Sequence, residues 1–376
     1  MASAESAVTT LTGRGPLGIT ERGARSRWWR RLGSKSRGFH YEDARGRPVR
    51  EEAELARIAS LVIPPAWKDV RISPSQRGRL QAIGVDTGGR VQYIYHPQFA
   101  ARQQRRKYEK IERFGESLPA LRRKTNEDIQ REGLPRERVL AVVVRLINDL
   151  YFRVGSEKSV EDYRTYGVTT LRNRHLEIKR GGLLFFNFVG KHHVRHRVLH
   201  VDEELAVLMH DIKKIGGSRL FNYLDEEGRA RPVKPKDVND YIKAATAPEF
   251  SAKDFRTWGG TLLAAIELAE IGPAADEKLA KKNLVRAVKR VAERLGNTPT
   301  VCRGCYIHPK VLDSYLRGVT LEQFRRRVER NIKRIQPEYE VEEIALLKML
   351  RAQPDVKFQP QKTQEKTEVK GAGKDS

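Results

Sequence analysis

The spacing of the hydrophobic residues changes near Pro97, and this change limits the folds that are open to the chain. Before Pro97, short runs that alternate apolar and polar residues lie between turn residues, as in WKDVRIS, GRLQAIGVD and GRVQYIYHP; this pattern is typical of β-strands. After Pro97, apolar residues recur every three to four positions, as from Phe99 to Phe114 and from Pro135 to Phe152, which is typical of amphipathic helices. The sequence therefore predicts an α+β protein with a small β-rich N-terminal domain and a larger, mainly helical domain.

Within the first domain, FHYEDARGRPV predicts a hairpin that turns near Gly46, and EEAELARIASLVIPP predicts a short helix that ends at Pro64-Pro65. The segment before it is rich in Gly, Ser and Arg and has no periodicity, which favours a flexible arm. We expect a basic arm over residues 1–35 and a β-rich domain over residues 36–100.

The second domain, predicted over residues 101–355, contains four short β segments that form a hairpin platform: GVTTLRN, HLEIKR, LLFFNFVG and VRHRVLHVD. Helices are predicted again at Asp202–Ile215, Lys236–Ala245, Ala252–Ile271, Asp276–Leu295 and Leu321–Ile335. Residues 356–376 are polar and basic, so we expect a disordered tail there.

The charge of the chain points to a polyanionic partner. It has 73 Lys and Arg against 48 Asp and Glu, a formal net charge of +25, and basic clusters recur along its length. Such an excess is typical of proteins that bind nucleic acid. No apolar run is long enough to span a membrane, and the N-terminal residues do not resemble a signal peptide. With only two cysteines, a disulfide framework is excluded, and we expect a cytoplasmic protein.

Metal and cofactor chemistry have little support. Cys302 and Cys305 have C-x-x-C spacing but no second cysteine pair, and only a long-range coincidence with His192, His193 or His308 would complete a zinc site. The two cysteines are therefore interpreted as small packing residues. The sequence has neither a Walker A loop nor G-x-G-x-x-G after a strand. We expect no metal, no ATP and no other cofactor.

Four residues stand in tight, turn-like contexts in the second domain. Arg153 follows an apolar helix and precedes Val-Gly, Lys191 lies at a predicted hairpin tip, Arg256 opens a helix in KDFRTWG, and Tyr306 ends a short helical turn before Pro309. Each of them taken singly has an ordinary interpretation as a surface or core residue. Their order along the chain is what makes them informative.

Together these segments resemble the type IB DNA topoisomerases, in the branch of the poxvirus and bacterial enzymes. The resemblance runs in order from about Trp67 to about Tyr315 and includes GRVQYIYH, FRVGSEK with YGVTTLRNRHLEI, FVGK, KDFRTWG and LGNTPTVCRGCYIHP. It implies a C-shaped clamp, built from a β-rich domain and a catalytic domain of the tyrosine recombinase and topoisomerase IB fold. It also implies a monomer that encircles duplex DNA and contacts mainly the phosphate backbone.

The resemblance implies that Tyr306 attacks a phosphodiester and leaves a 3′-phosphotyrosyl bond and a free 5′-hydroxyl. Arg153 and Arg256 would hold the non-bridging oxygens, because a guanidinium is always charged and donates two parallel hydrogen bonds. Lys191 would protonate the leaving oxygen as general acid. Swivelling and religation would then relax supercoils without ATP or a required metal.

Two positions depart from the family pattern. Asn297 stands nine residues before Tyr306, where the poxvirus enzymes and the tyrosine recombinases have histidine. An amide can donate a hydrogen bond to a phosphate oxygen but carries no charge, so a minor catalytic role is expected for Asn297. Ser159 replaces an aromatic DNA-contact residue of the family, and no function is carried over to it.

Seven further residues are expected to bind DNA rather than react. Tyr93 and Tyr95 are two apart on a strand and therefore share a face, and with their neighbours they match the DNA-facing strand of the family's small domain. The full set is Arg90, Gln92, Tyr93, Tyr95, Arg172, Arg174 and Lys253. His175 lies beside the two arginines of the second domain.

Two other functions remain open at this point. A tyrosine recombinase or integrase shares the Arg-Lys-Arg-Tyr order, but it usually carries His-x-x-Arg where this chain has Lys253-Asp-Phe-Arg256. A non-catalytic DNA-binding protein would explain the charge and leave the order of the four residues to chance.

Overall fold

A computed structural model describes residues 27–329 and 338–352. The contacts divide the chain into two compact units, of which the first ends at Glu109 and the second begins at Lys110. This division falls inside one long helix, α2 (Pro97–Ile129), and not at the predicted boundary between residues 100 and 101. The change of hydrophobic period marks the residue at which α2 begins. The first part of α2 contacts the first unit and the rest contacts the second, so the division between the units falls within the helix.

The N-terminal unit contains a five-stranded antiparallel sheet in the order β2-β1-β3-β4-β5. Its elements are β1 (Trp29–Ser34), β2 (Gly38–Glu42), α1 (Glu52–Ser60), β3 (Lys68–Ile72), β4 (Leu80–Val85) and β5 (Val91–Tyr95). Helix α1 contributes Ile58 to a core that also contains Ile72 and Ile94 from the sheet. The β-rich N-terminal domain, its helix and the three strands after it are thus confirmed.

The start of this unit corrects one prediction and confirms another. Residues 29–34 form β1 inside the predicted arm, and β1 pairs with β2. The predicted turn near Gly46 is present, since an antiparallel bridge joins Glu42 to Pro48 across it. Trp29 packs against the core, and the Arg31 guanidinium donates to the carbonyl oxygens of Pro64 and Trp67. Arginine-rich composition concealed a strand in which Arg31 is held by backbone oxygens and Arg30 by the Glu42 carboxylate. The rest of the predicted arm, residues 1–26, lies outside the described residues.

The C-terminal unit is mainly helical and carries a three-stranded antiparallel sheet, β6-β7-β8. Its elements are α3 (Arg136–Leu150), α4 (Glu157–Tyr163), β6 (Leu176–Lys179), β7 (Leu183–Val189), β8 (Arg195–Val201), α5 (Glu203–Lys214), β9 (Asn222–Leu224), β10 (Ala230–Pro232), α6 (Pro235–Ala245), α7 (Ala252–Ile271), α8 (Glu277–Leu295), α9 (Pro299–Cys305), α10 (Pro309–Leu316), α11 (Glu322–Glu329) and α12 (Val341–Arg351). The core helices α3 and α7 are buried along most of their length, which follows from their nearly continuous apolar and small residues.

One predicted strand of the second domain is wrong. The segment GVTTLRN and the two residues after it form two 3-10 turns, Val168–Thr170 and Asn173–His175. The Thr170 hydroxyl donates to the carbonyl of Gly167 and accepts from its N–H, and the Thr169 hydroxyl donates to the carbonyl of Val154. These local hydrogen bonds satisfy the backbone in place of a strand partner.

The C-terminal end of the chain is described only in part. The predicted helix Leu321–Ile335 begins as α11, and its last residues, like the predicted tail at 356–376, lie outside the described residues. In the two described ranges, no helix combines the length and the apolar character that crossing a bilayer demands.

Candidate active site

Arg256 lies in the first two turns of α7 and is held by backbone oxygens. It is 3% exposed, and its Nη1 donates to the carbonyl of Tyr151 while its Nη2 donates to the carbonyl of Leu295 at 2.6 Å. Its guanidinium carbon lies 5.1 Å from the centroid of the Tyr306 ring. The ends of α3 and α8 thus fix a buried cation against the tyrosine.

Tyr306 follows the last residue of α9 and is half-buried. Its carbonyl oxygen accepts from the Thr261 hydroxyl at 3.2 Å. A side chain at Gly260 would place its Cβ 2.9 Å from the same oxygen, so glycine is required for this close approach. Tyr306 is therefore anchored to α7 through its backbone, and its ring faces Arg256.

Arg153 and Asn297 form the other side of the site. Helix α3 ends at Tyr151 in the left-handed conformation (φ 54°), which turns the chain toward Arg153. The Arg153 Nη2 donates to Asn297 Oδ1 at 2.6 Å, while the buried Asn297 Nδ2 has no hydrogen-bond partner among the described residues. The amide therefore has an unused donor within the site.

Two buried cations repel each other here. Burial, followed by the charge of Arg256, lowers the pKa of Arg153 to about 10, although Tyr306 acts in the opposite direction. Arg153 is still protonated at neutral pH. Since an anion would relieve both the desolvation and the repulsion, the arrangement is suited to a phosphate group beside the phenol.

Lys191 lies where it was predicted, at the tip of the hairpin formed by β7 and β8. The turn is closed by the Gly190 N–H, which donates to the carbonyl of Val194 at 2.8 Å, and Lys191 itself is exposed. Two residues of this hairpin, His196 and Val194, lie close to Gly296, which precedes Asn297. Lys191 is thus carried on an element that touches the site.

His196, which was not predicted from the sequence, lies on this hairpin in β8. Its ring stacks on Phe188, with the centroids 4.8 Å apart, and burial, followed by the charges of Arg153 and Arg256, lowers its pKa to about 4. The imidazole is therefore neutral at pH 7. Exposed and less exposed residues alternate along β8, and His196 stands at a less exposed position. This alternation was the only feature of the sequence that could have indicated its place.

The predicted DNA-contact strand β5 divides into two pairs. Arg90 and Gln92 both donate to Asp86 Oδ2 at 2.9 Å, and Gln92 is 6% exposed. Tyr93 and Tyr95, in contrast, are half-buried and stack with their centroids 6.2 Å apart, as expected for residues on one face. In this structure the two tyrosines present more surface than Gln92 does.

The three other predicted DNA-contact residues are exposed. Lys253 lies in the first turn of α7, three residues before Arg256. Arg172 lies with its guanidinium 6.0 Å from the Tyr166 ring. Burial, then the charges of Arg174 and Arg172, lower the pKa of His175 to about 4, so His175 adds no charge to this surface at pH 7.

A basic cluster in the N-terminal unit was also missed. Arg77, Arg79, His96 and Arg102 line a cavity of about 300 Å³ with Gln98 and Phe99. Within the described ranges, none of these three arginines forms an ion pair. The ring of Phe99 lies 5.5 Å from that of Tyr95, so the cluster continues from the tyrosines of β5. Two arginines separated by one glycine, Arg77-Gly-Arg79, were the feature of the sequence that could have indicated this cluster.

The two cysteines of the C-x-x-C pair differ in environment. Cys302 is fully buried in α9, and burial raises its pKa to about 11, whereas Cys305 is exposed. Residues 27–329 and 338–352 contain no group of three or more His, Cys, Asp or Glu side chains that could hold a metal ion.

Comparison with known proteins gives two family matches and several curated relatives. The family described as "Eukaryotic DNA topoisomerase I, catalytic core" matches residues 96–335, and "Bacterial DNA topoisomerase IB, N-terminal domain" matches residues 38–86. The chain is 30% identical over 269 residues to DNA topoisomerase 1B of Acanthamoeba polyphaga mimivirus, which covers 70% of this chain and 80% of the relative. It is 24% identical over 242 residues to DNA topoisomerase 1B of Vaccinia virus, which covers 62% of this chain and 72% of the relative.

The catalytic-core match includes every element that carries Arg153, Lys191, Arg256, Asn297 and Tyr306, and the relatives named above are topoisomerases rather than recombinases. The β-rich unit is matched separately by a topoisomerase domain. The chain therefore belongs to the type IB DNA topoisomerase family.

Proposed function

We propose that Tyr306 is the nucleophile with which this type IB DNA topoisomerase cleaves one strand of duplex DNA. The observation that carries the assignment is the convergence of two buried guanidiniums on one tyrosine, since Arg256 faces its ring and Arg153 lies beside them both. A phenol is mostly protonated near neutral pH, and neighbouring cations favour the phenolate that forms during attack.

The reaction conserves the number of phosphodiester bonds. The Tyr306 oxygen bonds to phosphorus, the bond to the 5′-oxygen breaks, and a 3′-phosphotyrosyl bond and a 5′-hydroxyl result. Arg153 and Arg256 would hold the two non-bridging oxygens while negative charge develops there. Religation is the reverse displacement.

Asn297 would donate its unpaired Nδ2 hydrogen to one of these oxygens. Its Oδ1 already accepts from Arg153. The amide is therefore oriented so that Nδ2 is available to donate to the phosphate. Lys191, carried on its hairpin, would give a proton to the leaving 5′-oxygen as general acid.

The DNA contacts of the N-terminal unit would come from Tyr93 and Tyr95 and from the three unpaired arginines at 77, 79 and 102. Because those arginines form no ion pair among the described residues, they would not have to break one before binding a backbone phosphate. Arg90 and Gln92 would first have to exchange Asp86 for DNA. In the C-terminal unit, Arg172, Arg174 and Lys253 would add contacts.

One copy of the chain would act alone, as a clamp around the duplex in a bacterial cytoplasm. Mixing the inactive variant Tyr306→Phe with the slow variant Arg256→Ala tests this proposal. A monomer whose site is built from one chain predicts no recovery of relaxation, while recovered activity would show that two chains share a site.

Relaxation of supercoiled plasmid in EDTA and without ATP tests the chemistry. Tyr306→Phe keeps the ring and the cations, so it is expected to bind DNA like the wild type but to relax nothing. Tyr163→Phe is the matched control, because that tyrosine is exposed and lies outside the site. Undiminished relaxation by Tyr306→Phe would contradict the assignment.

A further inference from the structure

The imidazole of His196 contacts the residues that directly precede three of the proposed catalytic side chains. A Cβ placed on Gly190 would lie 2.7 Å from His196 Nε2, and one placed on Gly296 would lie 2.7 Å from His196 Cε1. The ring of Phe152 lies 6.2 Å from the imidazole, edge to face. These three residues precede Lys191, Asn297 and Arg153 respectively.

The neighbouring strand of the hairpin fixes the His196 ring on one face. His196 pairs with Phe188 in the register of β7 and β8, and the two rings stack at an interplanar angle of 14°. The imidazole edge then occupies the space between Gly190 and Gly296, where any larger residue would collide with it. The close approach of the hairpin to the turn after α8 therefore depends on this ring and the two glycines, with Val194 Cγ1 beside it, 3.4 Å from a Cβ placed on Gly296.

We propose that His196 is a positioning residue that holds the Lys191 hairpin against the turn of Gly296 and Asn297, so that the lysine reaches the leaving 5′-oxygen. The proposal rests on the role of Lys191 as general acid. Arg153 and Asn297 hold each other through a hydrogen bond that does not involve His196. Loss of the ring is therefore expected to affect protonation of the leaving group more than the grip on the phosphate.

Single-turnover cleavage of two substrates separates these effects. With the natural 5′-oxygen, the leaving group takes a proton from the Lys191 ammonium. With a bridging 5′-sulfur, it departs as a thiolate and needs no proton. His196→Ala is expected to slow cleavage of the oxygen substrate by about 10- to 100-fold, the scale of a small misplacement of a catalytic group, and to cleave the sulfur substrate at the wild-type rate.

Two variants act as controls. His196→Phe retains a ring between the two glycines and is expected to cleave the oxygen substrate within a few-fold of wild type. His200→Ala removes the same side chain from the same face of β8, four residues further on, where it faces Asp149. It is expected to cleave both substrates like the wild type.

A glycine variant tests the same contact from the hairpin side. Gly190→Ala would force its Cβ against the ring and slow cleavage of the oxygen substrate, and adding His196→Ala should bring the rate to that of His196→Ala alone. Noncovalent DNA binding and thermal unfolding show whether each variant is folded. If His196→Ala does not fold, Gly190→Ala with the sulfur substrate carries the test.

Lys191→Ala in the same assay keeps the two hypotheses apart. If sulfur does not rescue Lys191→Ala, the general-acid assignment fails. If sulfur rescues Lys191→Ala but not His196→Ala, or if His196→Ala cleaves the oxygen substrate at the wild-type rate, the positioning role is overturned.

Discussion

The two arginines of the proposed active site are held differently from four arginines of the N-terminal unit. In the N-terminal unit, Arg30, Arg47, Arg57 and Arg90 each pair with a carboxylate at 2.6 to 3.0 Å. In the C-terminal unit, Arg153 and Arg256 are held by neutral oxygens, from the backbone and from Asn297, and neither forms an ion pair within the described residues. Neutral acceptors fix a guanidinium without cancelling its charge, so the charge stays available to a phosphate.

Arg256→Ala gives the largest effect that this contrast predicts. It removes a buried charge beside the proposed nucleophile, and deleting one such donor typically costs 10² to 10³ in rate. Single-turnover formation of the covalent adduct measures the loss, with Arg47→Ala, whose charge is already paired with Asp43, as the matched control. Equal losses in the two variants would show that the way an arginine is held does not matter.

Asn297→Asp turns a neutral acceptor into a carboxylate at the same place. It would pair with Arg153, cancel its charge and repel the phosphate. We expect adduct formation to be about tenfold slower than in Asn297→Ala, since one pKa unit of interaction corresponds to a factor of ten. An aspartate variant that is faster than the alanine variant would refute the argument from neutral acceptors.

The arginines at 77 and 79 sharpen the contrast within the N-terminal unit. Each neutralised phosphate contributes about 0.9 to the slope of log affinity against log salt. The double variant Arg77→Ala/Arg79→Ala is expected to lower that slope by about 2 in noncovalent binding. Arg30→Ala/Arg47→Ala, which removes two paired arginines, should change the slope much less. Equal changes in slope would show that ion pairing does not decide which arginines bind phosphate.

The smallest predicted effect is on stability against pH. The pKa of His196 is lowered from 6.5 to about 4 by burial and by Arg153 and Arg256, so the unfolded chain binds this proton first as the pH falls. Stability is therefore lost between about pH 6.5 and pH 4. His196→Phe should show a smaller fall in Tm over this range than the wild type, and an identical fall would contradict the lowered pKa.

Much of the proposed catalytic site could be predicted from the sequence because its residues stand where local structure changes. Arg153 follows the end of a helix, Lys191 occupies a hairpin tip and Arg256 opens α7, and the ordered motifs around them specify a family. What the sequence could not show is how the arginines are held, since the acceptors are carbonyl groups of the Tyr151 and Leu295 backbone, brought together only by the fold.

The missed features have related causes. Strand β1 was hidden by its arginines, of which Arg31 bonds to backbone oxygens and Arg30 to Glu42. The segment GVTTLRN has a strand-like composition but satisfies its backbone through threonine hydroxyls. His196 carries no motif of its own, because its contacts are with two glycines and two aromatic rings from distant parts of the sequence. Side chains that act by filling space leave little trace in a single sequence.

Trapping the covalent adduct tests the central claim most directly. Wild-type enzyme is allowed to cleave duplex DNA, stopped with denaturant and digested, and the peptide joined to the DNA is identified. The site described above predicts a 3′-phosphate on Tyr306. An adduct on any other residue, for example Tyr151, Tyr166 or Tyr315, would contradict the assignment of the nucleophile and of the arginines around it.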